Sequence, residues 1–72
     1  MTDWCMIVGK NVRNLRLSAS LTQERLAQEA EIDLTYVSGI ERGKRNPSLL
    51  VMARLAKALG VHPRDFLDTS IE

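Results

Sequence analysis

One cysteine, one histidine, two prolines and three aromatic residues (Trp4, Tyr36 and Phe66) are all that 72 residues contain of these types. Each scarcity excludes something. Cys5 alone forms no internal disulfide, so a stapled secreted scaffold is excluded and a cytoplasmic protein is expected. With a single histidine and a single cysteine there is no zinc-ligand spacing, and no metal or other cofactor is expected. Few aromatics, with Leu and Ala supplying half of the apolar set, argue against strands and for a small helical bundle. No apolar run approaches the ~20 residues that span a bilayer. Asp3 precedes the first apolar stretch without a basic leader, so no secretory signal is expected and no membrane partner either. The net charge is only +1, too little by itself to suggest a polyanion partner.

What is present fits one small globular domain over residues 1–72: 44% apolar and 26% charged residues, with no repeat or linker. The apolar spacing is helical throughout. Trp4, Val8, Val12 and Leu15 predict one buried stripe on a first helix. Thr22 predicts the N-cap of a second helix, with Leu26, Ala27 and Ala30 inward. Asp33 predicts the cap of a short third helix, with Val37 and Ile40 inward and Gly43 as its stop. Asn46 as cap and Pro47 at the first position predict a fourth helix burying Leu49, Met52, Leu55, Ala56 and Leu59, closed by Gly60. His62-Pro63 then opens a short fifth helix carrying Phe66 and Leu67. The expected fold class is all-α, five helices with short connections.

Charge is distributed unevenly. Lys10, Arg13 and Arg16 form one basic set, and Arg42, Lys44 and Arg45 another, while residues 24–33 hold four acids against Arg25. Two short helices joined by about three residues must cross steeply, which is the helix-turn-helix unit. The third helix buries Val37 and Ile40 and turns Leu34, Thr35, Ser38 and Gly39, with most of Tyr36, elsewhere. Arg42, Lys44, Arg45 and Asn46 follow where a docked helix meets the phosphate backbone.

Thr22-Gln-Glu-Arg-Leu-Ala27, Tyr36-Val-Ser-Gly-Ile-Glu-Arg-Gly-Lys-Arg-Asn-Pro-Ser48 and Leu55-Ala-Lys-Ala-Leu-Gly-Val61 together resemble the Xre/Cro-type helix-turn-helix family. That family includes phage repressors, bacterial regulators and the controller proteins of restriction–modification systems; a stand-alone chain of this size looks most like the last. The resemblance implies a compact lambda-repressor-like domain and a sequence-specific regulator of transcription bound to double-stranded DNA. It implies Gln23 as a phosphate contact at a helix N-terminus and Thr35, Tyr36 and Ser38 at base-reading or groove-wall positions. Arg42, Lys44, Arg45 and Asn46 fall on the backbone or groove edge, with a guanine as the other destination for Arg45. A plainly solvated surface is the bland alternative for Thr35 and Ser38, and packing against the first helix for Tyr36. Arg16 and Glu41 correspond to an ion pair that ties the first helix to the end of the third. Glu31 stands where relatives carry glycine in a left-handed turn.

Catalysis finds little support. His62 before Pro63 reads as a helix cap, and Asp65 and Asp68 as solvated carboxylates. The competing reading is a helix-turn-helix module that binds a protein, as in antitoxins or anti-repressors, favoured by the apolar Leu50 and Val51 at a helix start. Family members pair across a two-fold axis, and Pro63, Leu67 and Ile71 recur every four residues as the expected homodimer stripe.

Overall fold

Asp3 starts the first helix: its carboxylate accepts the Met6 N–H at 3.1 Å. The computed structural model describes residues 2–70. Their helices are α1 Trp4–Ser18, α2 Gln23–Ala30, α3 Leu34–Glu41 and α4 Leu49–Leu59, followed by a 3-10 helix at Pro63–Leu67; no strand occurs among them. The all-α class is as expected, with the fifth element tightened from an α-helix to a single 3-10 segment. Thr22, Asp33 and Ser48 each accept a backbone N–H of the following turn, from Arg25 at 3.0 Å, Thr35 at 2.7 Å and Val51 at 3.1 Å. These caps satisfy donors that a helix leaves without intrahelical partners.

Packing centres on Phe66, Leu26, Ile40, Leu55, Val12 and Val37, all fully buried. Helix α1 lies on α3 and the 3-10 helix, while α2 lies on α4 and α3. Gly9 permits the closest approach. A Cβ there would overlap the Ile40 carbonyl oxygen and stand 3.0 Å from that of Glu41, so α1 meets the end of α3 backbone to backbone. Asn11, buried beside Val12, donates from Nδ2 to the carbonyls of Phe66 (2.9 Å) and Asp68 (2.8 Å), pinning the C-terminal segment onto α1.

Four local expectations are corrected. Trp4 is half exposed, because in the first turn of α1 it lines an open surface cleft with Pro47, Met52 and Leu67 instead of the core. Ser48, two residues beyond Asn46, caps the fourth helix, its hydroxyl accepting the Val51 N–H, which leaves Asn46 and Pro47 in the preceding loop. Leu49 is then the first helical residue, about 70° from the centre of the buried stripe, and is 75% exposed. At the C-terminus, His62 Nδ1 accepts the Arg64 N–H at 3.1 Å and Asp65 returns a bond to the His62 N–H at 3.1 Å. The histidine is a cap, as expected, and Asp65 is its partner. In a 3-10 helix, positions four apart lie about 120° apart, so Pro63 and Leu67 do not form one stripe. Ile71 lies outside the described residues.

Glu31 has φ 58° and ψ 45°, the left-handed conformation expected of this turn. A Cβ there costs about 1–2 kcal/mol. Its carbonyl accepts from Arg54 at 3.4 Å and its N–H donates to Gln28, so the turn is held from both sides. Glu31→Gly is therefore expected to be neutral or to raise stability by up to about 1 kcal/mol, the relieved strain being partly offset by the entropy of an unfolded glycine. A urea unfolding curve checks this; a lower midpoint would show that strain does not dominate.

Candidate nucleic-acid interface

The site is built from the adjacent α2–α3 pair. Only residues 31–33 separate the two helices, and the inward residues Val37 and Ile40 fix the rotation of α3. With 100° per residue, the side directly opposite holds Thr35, Ser38, Gly39 and Arg42. Thr35 and Arg42 are exposed and Ser38 is half-buried. Leu34 opens the helix at 41% exposure, an apolar surface beside the polar one. Tyr36 sits on the flank, half-buried against the core, with the Arg45 guanidinium carbon 5.4 Å from its ring centroid.

Gly43 ends α3 at φ 73°. The Gly43 N–H donates to Ile40 O at 3.0 Å and the Lys44 N–H to Gly39 O at 2.9 Å, which turns the chain back along the helix. That reversal delivers Lys44, Arg45 and Asn46, all exposed, to the end of the outward face. Arg42 curls back so that its Nε reaches Ser38 O at 3.3 Å. Three cations and two hydroxyls thus share one surface.

Behind that surface lies a charged network. Arg16 donates from Nε and Nη2 to the two Glu41 carboxylate oxygens at 2.7 and 3.0 Å, and from Nη1 to Leu21 O at 2.8 Å. Both side chains are nearly buried, at 10% and 3% exposure. Hydrogen bonding to Glu41 raises the Arg16 pKa above its ordinary value despite desolvation, so the guanidinium stays charged. The pair forms where it is expected, from α1 to the end of α3. Gln23, expected on a phosphate, also joins the network: its Nε2 donates to Glu41 Oε1 at 3.0 Å. One amide hydrogen is thereby committed inward, while the peptide N–H groups of the first turn of α2 point out of the helix end. The Gln23–Glu41 bond and the Asn11 bonds had no signal in motif spacing beyond a polar residue on an otherwise apolar face.

A helix-turn-helix profile matches residues 12–66, most of the chain. The chain belongs to the helix-turn-helix family. Among relatives, the control protein C.BamHI of Bacillus amyloliquefaciens is 50% identical over 64 residues, covering 88% of this chain and 79% of that one. The immunity repressor of Bacillus phage phi105 is 39% identical over 56 residues, 78% of this chain and 39% of that one. The crystal structure of the restriction–modification controller protein C.AhdI from Aeromonas hydrophila superposes with a TM-score of 0.84 at 42% identity, covering 86% and 94% of the two chains. This helix-turn-helix chain therefore shares its fold with transcriptional regulators along nearly its whole length. Among its described residues, no helix is long and apolar enough to cross a membrane, and no cluster of three or more His, Cys, Asp or Glu could hold a metal ion.

Proposed function

We propose that this chain is a sequence-specific regulator of transcription that binds double-stranded DNA as a homodimer on a roughly palindromic operator and controls a restriction–modification operon. The observation that carries the reading is the outward face of α3, with Thr35 and Ser38 on the helix and Arg42, Lys44, Arg45 and Asn46 exposed at its end. Hydroxyls reach base edges while Arg42 and Lys44 neutralise phosphates, with a phosphate or a guanine as the destination of Arg45. Gln23 and the first turn of α2 hold a second phosphate. The resemblance to two proteins named as control or controller proteins supports the choice of operon.

Selection of bound duplexes from a random library tests this, giving target, symmetry and half-site spacing together. Arg42→Ala or Lys44→Ala is expected to weaken all duplexes alike and lower the slope of log K against log salt by about one unit for each phosphate left unneutralised. Thr35→Ala or Ser38→Ala is expected instead to shift preference among sequences by about 1–3 kcal/mol at one or two positions. An unchanged consensus after both hydroxyl removals would put the recognition face elsewhere.

Leu50, 76% exposed, favours one other reading, a surface for an antitoxin-like or anti-repressor-like protein partner; Val51, expected beside it there, is half-buried against the core, and Leu49 at 75% exposure takes its place. Under that reading the library yields no enriched duplex.

A further inference from the structure

Gly39 is buried although it lies on the outward face of α3. What covers it is Arg45: a Cβ on Gly39 would stand 2.7 Å from Arg45 Cγ, with Nε at 3.5 Å and Cδ at 3.6 Å. The stem of Arg45 therefore runs straight across the helix at the one position without a side chain. Tyr36 is three residues earlier, one turn away, so its ring continues the notch, and the guanidinium ends over that ring. The bond from the Lys44 N–H to Gly39 O fixes where the stem starts. Notch, ring and chain reversal together form one slot for one side chain.

We propose that Gly39 is a specificity-determining positioning residue: its bare Cα seats the Arg45 stem, and the seated guanidinium, backed by Tyr36, is presented as a fixed two-donor fork to a guanine in the major groove. The inference rests on the DNA-binding reading above and deepens it. A flexible arginine loses rotamer freedom on meeting a base, whereas one already laid in a slot loses less. Relief of the overlap by bending the tip is impossible, because Cγ is the first atom beyond Cβ. With alanine at 39, Arg45 must rotate about Cα–Cβ and carry its guanidinium off the ring. Glycine inside a helix is otherwise unfavourable, so Gly39→Ala improves the helix while emptying the slot. Stability and specificity then move in opposite directions, which a packing role does not produce.

The test compares duplexes selected from a random library by the wild-type chain, Gly39→Ala, Arg45→Ala, Arg45→Lys and the Gly39→Ala/Arg45→Ala double variant. Each variant is expected to lose about ten- to hundredfold of the preference for one guanine in each half-site while keeping the other positions. The double variant should lose no more of it than Arg45→Ala alone. Arg45→Lys, which keeps the charge without the fork, should lose the guanine but retain the salt slope. In the DNA-free chain, the Arg45 side-chain protons should resonate upfield over the Tyr36 ring and lose that displacement in Gly39→Ala. A Gly39→Ala chain that keeps the guanine overturns the proposal, as does one that melts lower and loses every duplex. An Arg45→Ala chain weakened uniformly on all sequences also overturns it. Failure of the wild-type chain to enrich any duplex overturns the DNA-binding reading instead, and the ring-shift measurement then still decides whether the slot exists.

Discussion

Glu41→Ala is expected to lower the unfolding free energy by about 3 kcal/mol, because it leaves the nearly buried Arg16 guanidinium without its carboxylate. A domain of this size holds only about 4–10 kcal/mol in all, so the variant should be partly unfolded at modest urea concentrations. The loss is not the net worth of the ion pair. It is the desolvation of a cation whose Nε and Nη2 donors have lost both acceptors and keep only Leu21 O through Nη1. Glu41→Gln, which keeps one acceptor oxygen and no charge, should fall between wild type and Glu41→Ala. Replacing both partners by apolar residues of similar volume, Arg16→Met with Glu41→Leu, should recover most of the stability.

That recovery separates folding from function. Glu41 also accepts from Gln23 Nε2, so the double substitution restores packing but releases the amide at the start of α2. A restored urea midpoint with weakened duplex binding is the expected result. Equal recovery of both would mean that the network serves the fold alone. Raised salt should hardly move the midpoints, since exposure of 10% and 3% leaves little of the pair to screening.

Much of this arrangement is legible from residues because it is local chemistry. Thr22, Asp33 and His62 cap the elements they precede through their own side chains, and Gly60 takes the left-handed conformation at the end of α4 at φ 71°. The left-handed Glu31 is legible only by resemblance, since nothing in a glutamate announces that backbone. Trp4 and Leu49 mislead for different reasons: Leu49 lies to one side of its helix's buried stripe, whereas Trp4 lies on the α1 stripe and is still half exposed. Periodicity tells which face of a helix a residue occupies, but whether another element reaches that level is a tertiary fact. Asn11 is invisible for the opposite reason, because its acceptors lie 55 and 57 residues away along the chain. Gly39 stands between these cases. Its cost to the helix is readable at once, while its use depends on where a cap at Gly43 sends Arg45.

Leu67→Asp is expected to give a folded monomer whose binding to a full palindromic operator falls by about a hundred- to ten-thousandfold. Phe66 beside it is fully buried and held through its carbonyl by Asn11, whereas Leu67 is 48% exposed and outside the buried core. The substitution therefore strikes the surface and spares the fold. Leu67 borders an apolar cleft of about 150 Å³ with Trp4, Cys5, Pro47 and Met52, and Leu49 is one turn before Met52 on α4. In the homodimer proposed above, a second copy seated there by two-fold symmetry would bury each of these residues twice. It would also set two recognition helices roughly 34 Å apart, one turn of the duplex. Binding of the second half-site then becomes intramolecular, which is where the large factor arises. On a single half-site, where the partner copy touches no DNA, the variant and a wild-type monomer should bind equally. Sedimentation velocity, a melting curve and anisotropy on the two duplexes check the three parts separately. A wild-type chain that remains monomeric at tens of micromolar (an arbitrary practical limit) and holds a half-site as tightly as a full site would remove the dimer. The Leu67 surface would then be left to another partner.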